Sequence, residues 1–213
     1  MPRTALLAGA TGLVGAALLR QLLDDADYHR VVVLSRRALE PRHPRLEVIE
    51  SNLEDLEALS ARLAADDVYC CLGTTTAKAG GRAGLEHVDY HLVVGLARAA
   101  HAAGAKQFIV VSAAGASDRS PSFYSRVKAR MEQAIGEIGY TAVHIVRPSL
   151  LLGARSEVRP AEALAQRFAP LLAPFCIGPL RQYRPITADD VATAMRQLAA
   201  TPAVGVHIHA LPL

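Results

Sequence analysis

Short apolar runs alternate along this chain with longer stretches in which apolar residues recur every three or four positions. The runs at 4–9, 31–35, 46–50, 66–73, 107–113, 141–148 and 204–210 are rich in Val, Ile, Leu and Ala and read as strands, and the four Val/Leu residues from Val31 to Leu34 read as one buried on both faces. Between them lie helical patterns. Residues 13–25 form the first, and in the stretch 86–104 Val88, Leu92, Val93, Leu96 and Ala100 share one helical face, with Gly104 placed as a C-terminal cap. The stretch 184–200 reads as a turn, an N-capping Thr187 or Asp189, and an amphipathic closing helix.

Strand and helix in regular alternation imply parallel strands joined by right-handed crossovers, hence an α/β doubly wound sheet with helices on both faces. No repeat or linker divides residues 1–213, so one domain is expected. Residues 150–183 are less regular and carry Pro160, Pro170, Pro174 and Pro179. A late irregular insertion of this kind is expected on the substrate side, over the crevice beyond the strand ends.

Composition narrows the function classes. Hydrophobic residues at 51% and charged residues at 20% are globular values, and a net charge of +3 from scattered basic residues gives no reason to expect a nucleic-acid partner. No apolar stretch reaches the roughly 20 residues that span a bilayer, so no membrane role is expected. Three cysteines, two of them adjacent, make no disulfide framework, and no signal peptide opens the chain, which points to a reducing cytoplasm. Cys70 and Cys71 fall in a buried strand and read as core. His207 and His209 alternate on one strand face, but no motif supplies a third ligand, so no metal is expected.

The candidate chemistry begins where the first strand passes into the first helix. Gly9 permits a tight turn, Gly12 lets backbone approach a phosphate, and Gly15 lets helix pack on strand. The amides around Thr11, Leu13 and Val14, at the positive end of the helix dipole, would then hold a pyrophosphate. The spacing Gly-x-x-Gly-x-x-Gly in "LAGATGLVG" resembles the atypical and extended short-chain dehydrogenase/reductases, the Rossmann-fold branch that includes epimerase-like and NmrA-like proteins.

At the end of the second strand a Rossmann unit places an acidic residue for the ribose of NAD or arginine for the 2′-phosphate of NADP. This chain has Ser35, Arg36 and Arg37 there, so NADP(H) is expected over NAD(H). Two arginines on a solvated rim would be equally polar.

Ser112 ends the fifth strand, and Tyr124 and Lys128 lie four apart in a helical segment, on one face. An ammonium beside a phenol makes it a usable general acid or base, and a serine can polarise the same carbonyl. An ordinary amphipathic surface would show the same pair.

"VYCCLGTTTAKAGG", the segment from "HVDYHL" to "RMEQAI", and "IVRPSLLLGARSE" resemble the oxidoreductase-like relatives of the Tat-interacting short-chain reductase, over about residues 4–200. That resemblance implies an NADPH-binding domain with a Ser112, Tyr124, Lys128 site. It further implies that Leu72, Gly73 and Thr74 line the adenosine and ribose side of the coenzyme and that Arg147, Pro148, Ser149 and Leu150 border the nicotinamide. Asp89 stands where many extended relatives carry Asn, so a relay through that amide is not expected here.

The function so implied is hydride exchange with a small, modestly apolar carbonyl or alcohol, in an oligomeric state the sequence leaves open. A regulatory NADP(H)-binding protein that turns over nothing is the other class. A nucleotide-sugar epimerase is disfavoured by the short chain after Leu150.

Overall fold

The computed structural model describes residues 2–39, 42–149, 151–152 and 185–212. Strands β1 (Arg3–Ala8), β2 (Tyr28–Ser35), β3 (Leu46–Glu50), β4 (Asp67–Cys70), β5 (Gln107–Val111), β6 (Ala142–Pro148) and β9 (Gly205–Leu211) form one sheet in the order β3-β2-β1-β4-β5-β6-β9, parallel throughout. A small parallel pair, β7 (Leu151–Leu152) with β8 (Ile186–Thr187), lies apart from it. The substrate-side region expected at 150–183 falls outside the described residues apart from β7.

The apolar runs become central strands because alternate residues feed two cores. Leu6 and Ala8 of β1 join Val32, Leu34, Val68 and Phe108 on the side of α3 (Val93–Ala102) and α4 (Phe123–Gly136). Ala5 and Leu7 join Val31, Val33 and Tyr69 on the side of α1 (Leu13–Asp24) and α5 (Ala188–Ala200). Thr187 caps α5 in a capping box with Asp190. Strand order reverses between β1 and β4, and the crevice beyond their C-terminal ends is where ligands of doubly wound sheets bind. At the opposite end, buried Asp67 accepts from Tyr28 at 2.7 Å and pairs with Arg3, and burial pushes its carboxyl up to about 6.

The helix expected over 86–104 is not one regular helix. A short α2 (Arg82–Glu86) passes into a π-helical turn at His87–Leu92 and then into α3. The widened turn shifts the register, so that Asp89 is fully buried while Val88 is only half-buried. Such π turns carry an extra residue and frequently mark functional positions.

Candidate active site

Each of the three glycines at the β1–α1 turn has its own geometric reason. Gly9 has φ +87, and a Cβ there would stand 2.6 Å from the Cys71 carbonyl. A Cβ on Gly15 would stand 2.1 Å from the Gly9 carbonyl oxygen. Gly12 is different: it is exposed, and its Cβ would have only the Gly9 oxygen at 3.4 Å. It is also the N-cap of α1 and offers no side-chain cap, so the first-turn amides remain available to an anion. Thr11, Gly12 and Leu13 open on a cavity of about 330 Å³, closed on its other side by Thr187, Ala188 and Asp189. The arrangement fits a diphosphate held by backbone. Val14 and Gly15, expected among the coenzyme contacts, turn inward and are buried, so only their backbone can take part.

Ser35 is buried at the end of β2 and accepts from the Arg37 amide at 3.4 Å. Arg36 and Arg37 follow it, both exposed, and make no ion pair among the described residues. Leu72, Gly73 and Thr74 follow β4, which β1 separates from β2, across the crevice.

Ser112, Tyr124 and Lys128 come together at the C-terminal end of β5. Ser112 directly follows the strand and donates its amide to the Val146 carbonyl at 2.7 Å. Tyr124 and Lys128 lie in the first half of α4, whose N-cap Ser122 accepts from the Ser125 amide. The Lys128 ammonium stands 6.0 Å from the centre of the Tyr124 ring and donates to the Val111 carbonyl at 3.3 Å. Tyr124 is 36% exposed and faces out, whereas Lys128 is 2% exposed.

Two buried carboxylates complete the site, and neither was assigned a role from sequence. Asp89 sets one oxygen 2.9 Å from the Lys128 ammonium and accepts the Thr74 amide on the other at 2.8 Å. Burial works against the Lys128 charge, but Tyr124 and Asp89 together outweigh it and hold its pKa above the ordinary lysine value. Glu132 accepts the Ser112 hydroxyl on Oε1 and receives the Arg147 fork, Nε to Oε1 at 2.9 Å and Nη2 to Oε2 at 2.5 Å. The spacing Tyr124, Lys128, Glu132 on one helical face was the available signal for the second.

Arg147, expected beside the nicotinamide, is thus held by Glu132, because alternation along β6 turns its side chain toward α4. The Pro148 carbonyl accepts the Ala114 amide at 3.1 Å, the Ser149 amide donates to the Leu211 carbonyl at 3.0 Å, and Leu150 lies outside the described residues. Cys70 is fully buried and its thiol is pushed up to about 11 by burial, as befits a core residue.

Known proteins place this geometry in a family. A family model described as NAD(P)H-binding matches residues 9–155. The chain is 34% identical over 201 residues to the protein fmp52, mitochondrial, of Aspergillus niger, covering 91% of this chain and 85% of that one. It is 33% identical over 170 residues to HTATIP2 of Rattus norvegicus, covering 78% and 70%. Among solved structures, UDP-glucose 4-epimerase of Thermotoga maritima with UDP-glucose superposes with a TM-score of 0.69 at 16% identity over 96% of this chain and 76% of that one. The Bordetella bronchiseptica enzyme WbmG in complex with NAD superposes with a TM-score of 0.71 at 17% identity over 99% and 73%. At such identities these two share the fold alone.

The fungal relatives correct one expectation. Several are named mitochondrial, so the cytoplasmic assignment does not stand. Few cysteines record the absence of a disulfide framework, not an address. No helix among the described residues is long and apolar enough to cross a membrane. Matched by that family model over residues 9–155 and by these relatives at 33–34% identity over most of its length, the chain belongs to the NAD(P)H-binding, atypical short-chain dehydrogenase/reductase family.

Proposed function

We propose that the protein is an NADPH-dependent oxidoreductase that exchanges a hydride with a small, modestly apolar carbonyl or alcohol. The observation that carries the reading is the convergence of Tyr124, Lys128 and Ser112 at the sheet end that also presents the uncapped start of α1. The exposed Arg36 and Arg37 at the end of β2 suit a 2′-phosphate and support NADP(H) over NAD(H).

Held by the first-turn amides of α1 and by Arg36, the coenzyme would supply a hydride, with its electron pair, to the carbonyl carbon. Tyr124 gives its phenolic proton to the substrate oxygen as that oxygen gains charge, and the exposed phenol recovers a proton from solvent. Lys128 stabilises the phenolate that this step leaves, while Asp89 holds the ammonium in place. Ser112 lies against the same reacting oxygen. Alcohol oxidation runs these steps backwards.

A regulatory NADP(H)-binding protein is the second reading, favoured by the internal partners that already occupy Lys128 and Ser112. Calorimetric titration with NADPH and NADH, followed by a carbonyl panel on wild type and Tyr124→Phe, separates the two. Tighter binding of NADPH and turnover lost in the variant support the enzyme. Tight NADPH binding without Tyr124-dependent turnover selects the sensor.

A further inference from the structure

A hydroxyl has one proton to give, and in Ser112 that proton is already spoken for. The side chain is 4% exposed and donates to Oε1 of Glu132, itself 6% exposed. Both Glu132 oxygens accept N–H groups of the Arg147 guanidinium, which leaves Glu132 a pure acceptor and makes Ser112 the donor in their shared bond. Glu132 lies on α4, Arg147 on β6 and Ser112 at the end of β5, so three elements hold the arrangement. Toward the crevice Ser112 then offers only lone pairs.

We infer that Glu132, clamped by Arg147, is a positioning residue that turns the Ser112 proton away from the crevice, so that Ser112 receives a hydrogen bond and selects a ligand hydroxyl over a carbonyl. This deepens the proposed function, on which its ligand half rests. A carbonyl oxygen opposite Ser112 meets another acceptor and takes its proton from Tyr124 alone. The corresponding alcohol accepts from Tyr124 and donates to Ser112. The site therefore binds the reduced form of its substrate more tightly than the oxidised form.

The test uses the carbonyl that wild type reduces best and the matching alcohol. Inhibition constants are measured for the carbonyl in its dead-end complex with NADP⁺ and for the alcohol in its dead-end complex with NADPH. Glu132→Met frees the Ser112 proton, and Glu132→Met/Arg147→Met does so without leaving a guanidinium unpartnered. Either variant is expected to shift the ratio of the two constants toward the carbonyl by about tenfold, and to cause no such shift when Ser112 is already Ala. A ratio that stays at the wild-type value, or that shifts equally without the Ser112 hydroxyl, overturns the inference. If wild type reduces no carbonyl, the enzyme reading fails, and urea unfolding of the coenzyme-free protein decides the remaining half. Non-additivity of Ser112→Ala and Glu132→Met equivalent to about a tenfold change in the unfolding constant upholds the lock, and additivity overturns it.

Discussion

Lys128 and Asp89 form an ion pair of 2.9 Å with almost no solvent on either side chain, at 2% and 0% residue exposure. The pair joins the middle of α4 to the π turn, and through the Thr74 amide it reaches the loop after β4. The loop after β4 and the candidate proton-transfer helix are thus tied through one carboxylate. Removing one partner strands the other charge. Asp89→Leu is expected to cost about 3–5 kcal/mol, as is Lys128→Met, while the double variant recovers most of that because no buried charge remains. Urea unfolding of the three variants checks this, and strictly additive losses would show that the two charges do not depend on each other.

Gly12 and Gly15 separate structure from binding. At Gly15 a Cβ would collide with the Gly9 carbonyl oxygen, backbone against backbone, with no flexible group to yield. Gly15→Ala should therefore cost at least about 1–3 kcal/mol of stability. At Gly12 the backbone is extended, with φ −81, and the nearest atom to an added Cβ is 3.4 Å away. Gly12→Ala should fold normally yet weaken NADPH by about tenfold or more, because the methyl occupies the diphosphate's line of approach. Thermal unfolding and coenzyme titration on both variants give the comparison. Normal NADPH affinity in Gly12→Ala would place the diphosphate elsewhere.

In the proposed reading the exposed Arg36 would select the coenzyme by its 2′-phosphate, with Arg37 beside it. A charge-assisted bond to phosphate contributes about 1.5–3 kcal/mol, so Arg36→Ala should weaken NADPH by about 10- to 100-fold. NADH, which has no 2′-phosphate, should change by less than about threefold. Equal losses for both coenzymes would reduce these arginines to a solvated rim.

The central strands β1, β2, β4, β5 and β6 were legible because they are buried on both faces over most of their length and read as apolar runs, whereas the edge strands β3 and β9 are partly exposed and were legible from their Val, Ile and Leu content, β3 as Leu46–Glu50 to the residue. The π turn was not, since counting at a period of 3.6 puts Val88 inward and has no means of inserting the extra residue that buries Asp89. Glu132 was missed for a related reason. Four residues beyond Lys128 on a charged helix, it looks like half of an exposed i, i+4 pair. In the fold each of the two turns inward to a partner from another element, Lys128 to Asp89 and Glu132 to Arg147. Spacing along one helix carries no information about which strand ends face it.

On the other side of the sheet, His144 of β6 lies among His207 and His209 of the edge strand β9, with its Nδ1 3.1 Å from His209 Nε2. Burial first, then the neighbouring imidazoles, lowers His144 to about 4, and His209 is lowered in the same way. A histidine depressed in the folded state takes up its proton more readily in the unfolded chain, which favours unfolding as soon as pH drops below the ordinary value of about 6.5. The histidines' own contribution should accordingly be level above about pH 7 and fall by about 2–3 kcal/mol between pH 6.5 and 4, with His144 the larger part, while buried Asp67, held near 6, shifts stability the opposite way over the same interval, so the cluster is read from the difference between wild type and a His144 variant. His144→Phe removes that titration, so its urea midpoint, whatever the packing change does to it at pH 7, should decline less steeply over the same interval. An unaltered acid slope in the variant would move the origin of the pH dependence away from this cluster.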